Sequence, residues 1–344
     1  MMEELDSRQR EVFRAIVLEH ITTGEPVGSS SIARRDIAVS SATVRGVMAD
    51  LEEMGLLEKP HTSAGRVPTE RGYRYYVDAL VQIRQVSRPE RELIESRLPQ
   101  AAPTDEILRQ TSKLLSTLSH YAAVVTTPGL AKVPLKRIEF IRLHDDRVLA
   151  ILLSAGGLVR NRLLTVDFPI SPEELAHAEG YLNELLVDAP LETVRERVAT
   201  ELTHARSEYD ALVKKALALG LQVIEAAGRE GIGVLIEGQD SFFEAPEFAD
   251  LKRMRELLVA LEEKSKLLSV LDRTLQGREV KIFIGAETEF SARTGASVVA
   301  APYVTESGVV GSIGIIGPTR MNYGRAIALV DYTARVVSRL LESN

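Results

Sequence analysis

The first eighty residues alternate apolar stripes of helical period with short clusters of turn formers. Asp6 followed three positions later by Gln9 is a capping pair, and Phe13, Ile16, Val17 and His20 then recur at i, i+3, i+4 and i+7. "TTGEPVG" closes that helix, "SSSIARR" predicts a short second one, and "DIAVS" leads to a third. Ser40 or Ser41 caps the third helix, which runs to about Met54 and stops at Gly55. Its Val44, Met48 and Leu51 share one face and are expected to pack on the first two helices. The opposite face is Ala42, Gly46 and Ala49, flanked by Thr43 and Arg45. A solvent face normally carries long charged side chains, and an interior glycine costs ~1 kcal/mol relative to alanine. Small residues there let the backbone come close to something large, such as the floor of a DNA major groove.

Two short strand candidates, "LLEKP" and "GRVP", follow and predict a hairpin. Three helices and a hairpin have the layout of a winged helix-turn-helix, whose wing would carry Lys59, His61 and Arg66 towards phosphates. Thr69 then caps a helix with Tyr73, Tyr76, Val77 and Leu80 on one face. The same layout also builds protein–protein modules, so the pattern leaves DNA and protein partners both open.

Beyond this unit, "RQVSRPERELIESRLPQAAPTDE" is charged and then rich in Pro and Ala, and is read as a hinge. Thr104 or Asp105 opens a helix through His120. Strand patterns come next in "KRIEFIRLH", "RVLAILLSA" and "LVRNRLLTVDF", with Asp145–Asp146 as a hairpin turn between the first two. Ser171 and Glu174 open another helix. From Val194 to Val223 a long stripe steps by three and four residues, either an inter-subunit seam or one long helix packed in its own domain. "GIGVLIEG" is a strand signal, and leucines from Leu251 to Leu275 mark a second long helix. Strands return at "EVKIFIGA", "ASVVAAPYV" and "GVVGSIGIIG", and Ile327, Val330, Ala334, Val337 and Leu341 form the buried stripe of a last helix. Sheet segments on both sides of a helical block predict an α/β domain interrupted by an insertion.

Composition narrows the class. The 344 residues, 45% hydrophobic and 26% charged, predict a globular α+β multidomain chain of two or three domains. No apolar run reaches the ~18 residues of a membrane span, the N-terminus lacks signal-peptide order, and there is no cysteine, so a cytoplasmic location is expected. The net charge of −7 does not advertise a nucleic-acid binder. Any DNA contact must come from local placement, as in residues 59–77, where Lys59, Arg66, Arg71 and Arg74 face one acid, Glu70.

Enzyme chemistry finds no foothold. "GSIGIIGPTR" lacks the spacing of a nucleotide loop and has Pro318 where a phosphate-binding helix would start, which leaves Arg320 for an interdomain or dimer contact. The six histidines are scattered without metal-ligand spacing, and no serine sits in GxSxG. No cofactor and no metal are expected. Two classes stay beside a repressor: a ligand-responsive regulator of other genes, and an adaptor whose winged helix binds no DNA.

The stretch "SSATVRGVMADLEEMGLLEKPHTSAGRVPTERGYRYYVD" closely resembles the DNA-binding domain of the HrcA family of heat-inducible transcription repressors, and "GPTRMNYGRAIALVDY" matches the same family near the C-terminus. The family commonly has Asn where Gly46 stands and Asp where Asn322 stands. The resemblance implies a homodimer binding an inverted-repeat (CIRCE) operator of chaperone operons, kept active by the GroEL chaperonin. It also implies a GAF-like domain carrying an inserted, largely helical dimerisation domain. The expected boundaries are 1–82 for the DNA-binding domain, 83–104 for the linker, 105–188 with 279–344 for the GAF-like domain, and 189–278 for the insertion. The DNA contacts so expected are Ser41, Ala42, Thr43, Arg45 and Gly46 on the helix and Lys59, His61 and Arg66 on the wing. "VLAILL" and "ASVVAAPYV" are apolar, β-prone and nearly uncharged, a hazard that heat would expose to a chaperonin.

Overall fold

The computed structural model describes residues 5–34, 39–61, 65–100, 102–127, 134–144, 147–154, 159–166, 168–186, 189–204, 210–228, 233–305 and 308–342. Helices and antiparallel sheets are mixed throughout, as an α+β chain requires. The N-terminal unit opens with α1 (Ser7–Thr23), started by the Asp6–Gln9 capping box and ended by Gly24 at φ +73°. Helices α2 (Ser29–Ala33) and α3 (Ser41–Glu53) pack on it, and strands β1 (Leu57–Glu58) and β2 (Val67–Pro68) pair antiparallel behind them. Val12, Phe13, Ile16, Ile32, Val44 and Leu51 are fully buried and form the centre of this unit. Thr69 caps α4 (Glu70–Tyr75), which continues into a π-helical turn over Tyr76–Leu80.

The segment read as a hinge is more ordered than its composition suggested. Ser87 and Glu90 form a capping box that starts α5 (Arg88–Arg97), and Ile94 and Leu98 are buried. Helix α6 (Thr104–Ser119) follows and ends with His120 in the left-handed region.

The body is built on a five-stranded antiparallel sheet. Strand β3 (Ala122–Thr127), not among the strands expected from sequence, is buried along its whole length, so AAVVTT shows no apolar–polar alternation. An insertion then intervenes, and it lies earlier in the chain than the sequence placed it. Strands β4 (Pro134–His144), β5 (Arg147–Ser154) and β6 (Val159–Thr165) form a separate antiparallel sheet, with α7 (Pro172–Leu186) and the two-residue β7 (Ala189–Pro190) after them. Helices α8 (Leu191–His204) and α9 (Asp210–Gly228) complete it. Leu135, Ile138, Val148, Leu182, Val198 and Leu217 belong to its own core, distinct from the core of the body. By sheet partnership and core the insertion is residues 134–228 rather than 189–278, and it joins a four-stranded sheet to three helices. The stripe from Val194 to Val223 is broken into two helices whose Val194, Val198, Leu219 and Val223 are consumed inside this core. The expected turn at Asp145–Asp146 lies outside the described residues, but the strands flanking it pair as a hairpin requires.

The body resumes with β8 (Gly233–Glu237), which pairs with β3. Short α10 (Ser241–Glu244), α11 (Leu251–Glu262) and α12 (Lys264–Asp272) follow, the last two separated at Glu263 where one long helix was expected. Strand β9 (Lys281–Phe283), α13 (Glu289–Thr294), β10 (Ala296–Thr305), β11 (Gly308–Pro318) and α14 (Tyr323–Glu342) close the chain. The sheet order is β8-β3-β11-β10-β9. One face, with Val125, Val299 and Ile315, packs under α6 and α14, and the other, with Val124, Val298 and Ile316, packs under α11 and α12. Gly314 sits opposite Ala300 in this sheet, and a Cβ there would lie 2.7 Å from both the Ala300 Cβ and the Val299 carbonyl oxygen. Gly314→Val should cost roughly 1–3 kcal/mol by overpacking, read as a lowered denaturation midpoint at unchanged slope.

Candidate nucleic-acid interface

Helix α3 starts at Ser40, whose hydroxyl accepts from the Thr43 amide at 3.1 Å and lies 2.9 Å from the Thr43 hydroxyl. The Ser41 and Ser29 hydroxyls are 3.1 Å apart and tie α3 to α2. Val44, Val47, Met48 and Leu51 are buried, which turns Ala42, Arg45, Gly46 and Ala49 outward as one exposed face. A Cβ at Gly46 would meet nothing within 4 Å, so no internal contact explains that glycine. Arg45 is exposed and makes no ion pair among the described residues. Ser41 and Thr43, expected as contacts, are half-buried at the edge of this face, with their hydroxyls already engaged.

The hairpin is held to α3 by one carboxylate. Glu52 takes the Arg66 Nε–H at 2.8 Å and the Lys59 ammonium at 3.6 Å. The Arg66 backbone also exchanges two hydrogen bonds with Val27, at 2.8 and 2.9 Å, which adds a bridge from the loop before α2 to the hairpin. Gly65 is required for this approach, since a Cβ would run into the Val27 carbonyl. Arg66 is consequently only 16% exposed, while Lys59 remains 43% exposed and His61 lies on the surface. The guanidinium assigned to phosphates from sequence thus turns inward in this structure to a carboxylate on the reading helix. Residues 62–64, at the turn of the hairpin, lie outside the described residues.

Of the other arginines in this stretch, Arg71 is exposed beside Gly55, at the C-terminal end of α3. Arg74 points away from α3 altogether, to Glu287 of the body. Sequence reasoning missed Glu52 as the clamp and Arg74 as an interdomain residue. No local signal marks an arginine whose carboxylate lies 213 positions away.

The unit docks on the body through α1 and α4. Arg320 pairs with Glu247 and donates to the Ile21 carbonyl at 3.2 Å, the interdomain contact expected for this arginine. The His20 Nδ1 and Tyr73 hydroxyl are 2.7 Å apart, and burial followed by the Arg320 charge holds the imidazole below its ordinary pKa. Tyr73 in turn packs against Tyr323 of α14. The body offers no group of acids and histidines able to hold a metal among the described residues. Tyr303 fills the space beside Gly311 in the central strands and donates to the Thr126 carbonyl at 2.7 Å. No helix among the described residues is long and apolar enough to cross a membrane.

The family model described as the HrcA protein C-terminal domain matches residues 105–327. The heat-inducible transcription repressor HrcA of Geobacter sulfurreducens is 46% identical over 343 residues, covering 99% of both chains. That of Anaeromyxobacter sp. strain K is 48% identical, covering 98% of this chain and 97% of its own. A solved structure described as a hypothetical protein at 2.2 Å resolution shares the fold, with a TM-score of 0.68 at 23% identity and 99% coverage of both chains. The relatives match along almost the whole length and the family model over residues 105–327, and the chain belongs to the HrcA family of heat-inducible transcription repressors.

Proposed function

We propose that this chain represses transcription by binding duplex DNA through a winged helix, with α3 in the major groove. The observation that carries the reading is the solvent-open face of Ala42, Gly46 and Ala49 beside the unpaired Arg45. It is a surface shaped for close approach with no partner among the described residues. Arg45 would contact a base or phosphate, Lys59 and His61 would meet the backbone, and Arg66 would hold the wing in register through Glu52. Ser41 and Thr43 would line the edge of the contact, at the N-terminal end of the helix.

The operator would be a CIRCE-type inverted repeat upstream of chaperone genes, read by a cytoplasmic homodimer with one winged helix per half-site. The antiparallel body with helices on both faces is read as the GAF-like domain, and residues 134–228 as the dimerisation domain. What supports the latter is the outer face of its sheet. Ile141, Leu149 and Leu163 stand in register across β4, β5 and β6, and Ile141, Leu143, Val159 and Leu163 are 46%, 47%, 43% and 54% exposed. An apolar sheet face of this kind marks an interaction surface. GroEL would maintain the active form, with heat opening the body to expose β10 and the insertion to expose β5.

Titration on a chaperone-operator duplex and a scrambled duplex, at two salt concentrations, tests the reading. Tight operator binding with weaker, steeply salt-dependent binding to the scramble is expected. Equal weak binding to both, unchanged by chaperonin and ATP, would count against it. Within the same titration, Arg45→Ala should weaken operator binding by about 1–3 kcal/mol and scramble binding less, if Arg45 reads a base. Equal loss on both would restrict Arg45 to phosphate.

A further inference from the structure

We infer that the contact of α4 with the body sets the pose of each reading unit, with Arg74, Glu70 and Glu287 as positioning residues for two-site DNA binding. The inference rests on the DNA-binding reading above. Arg74 grips both oxygens of Glu287 at 2.6 Å and donates to the Ile282 carbonyl at 2.7 Å. One helical turn earlier, the Glu70 carboxylate accepts the Ala286 amide at 3.0 Å. Gly285, at φ +52°, lets that carboxylate in, since a Cβ there would run into it. Glu287 is itself fixed by accepting the Ile284 amide at 2.9 Å.

These contacts form a two-point grip on one short loop, and a bidentate arginine pair sets direction as well as distance. The connection between unit and body is pinned as well. Glu90 of α5 pairs with Arg325 at 3.0 Å and Glu95 accepts from Tyr332 at 2.7 Å, both on α14. None of this involves the outward face of α3, which stays open. The grip therefore does not cover the reading surface, and its effect is on where that surface points. A dimer that reads an inverted repeat needs two such surfaces at a spacing set by the DNA helical turn. A fixed pose raises the effective concentration of the second unit once the first has bound, whereas a swinging unit spends part of that advantage on ordering.

The test uses the full chain and its Arg74→Gln and Glu287→Gln variants on three duplexes: the inverted-repeat operator, the same operator with its half-sites moved apart by half a helical turn, and a duplex with one half-site. Wild type should bind the operator tightly and lose at least about tenfold on re-spacing. Both variants should lose about tenfold on the operator, lose less than wild type on re-spacing, and match wild type on the single half-site. Gly285→Ala attacks the same grip from the other side and should give the same profile if Arg74 variants fold poorly. Variants equal to wild type on all three duplexes would overturn the inference, as would tighter operator binding, which would make the grip inhibitory. Loss of equal size on the single half-site would make Arg74 part of the unit's own fold or contact. Wild type failing on both the operator and the half-site duplex would instead sink the DNA-binding reading itself.

Discussion

Gly46→Glu should abolish operator binding, with a loss of at least about a hundredfold, while the protein stays folded. The position is exposed, and an added Cβ meets nothing within 4 Å. Replacing an interior helical glycine also removes a helix penalty of up to ~1 kcal/mol, so melting should stay the same or rise. Two effects then act against DNA. A longer side chain pushes the helix out of the groove, and a carboxylate faces the phosphates where Arg45 supplied a positive charge. The size follows from losing most of the specific increment, which is ~4–10 kcal/mol over non-specific binding in known systems. Gly46→Ala separates the two effects, since it should keep the stability gain and lose much less binding. Parallel binding titrations and thermal melts of both variants make the check. A Gly46→Glu protein that melts normally and binds the operator at wild-type strength would remove α3 from the groove.

Excising residues 128–232 should leave a folded unit and body but a monomeric protein. Thr127 and Gly233 are direct partners across β3 and β8, so the excised segment enters and leaves between two neighbouring points of one sheet. A two-residue Asn-Gly turn can join them as an ordinary hairpin. Thr127 and Gly233 belong to the body, and the insertion carries its own core, so little of the body's packing is lost. With the row of Ile141, Leu149 and Leu163 gone, the proposed self-contact has no surface. Operator affinity should fall by about a hundredfold or more, to the level of a single half-site, because the second unit is no longer tethered. Light scattering after size exclusion gives the oligomeric state and circular dichroism the fold. A stable dimer after excision would move the dimer surface onto the body.

Local signals carried most of the N-terminal unit. Asp6–Gln9, Ser40 and Thr69 cap their helices as read, and the two faces of α3 divide as their spacing predicts, because caps and amphipathic stripes depend on neighbours within four residues. Strand partnership is different in kind. β4, β5 and β6 were recognisable as strands, yet nothing in their residues says which sheet they join, and the insertion boundaries slipped with that choice. The expected helical stripes ran through Glu263 and past His204, where helices end, because a periodic pattern does not register the end of a helix. Ser87 and Glu90 are a local cap signal for α5, inside the segment whose charge, Pro and Ala content predicts a hinge. At the candidate interface, the exposed small-residue face was legible. The fate of Arg66 and Arg74 was not, since a guanidinium is decided by whichever carboxylate the fold delivers.

The place of β3 in its sheet has a consequence for how the chain is made. It is an inner strand whose partners are β8 and β11, and Thr126 is hydrogen-bonded to Ser312, 186 positions further along. Its inner neighbour and the covering helix α14 both come from the last part of the chain. During synthesis the buried strand Ala122–Thr127 must wait for nearly all of the remaining residues to emerge, and after melting it must find them again by long loop closure. Pairings of such separation form slowly. Each copy that heat unfolds is thus absent for the duration of a slow refolding, with a sticky strand exposed meanwhile. Recovery after a temperature pulse should be paced by that search, a delay set by the topology of the sheet.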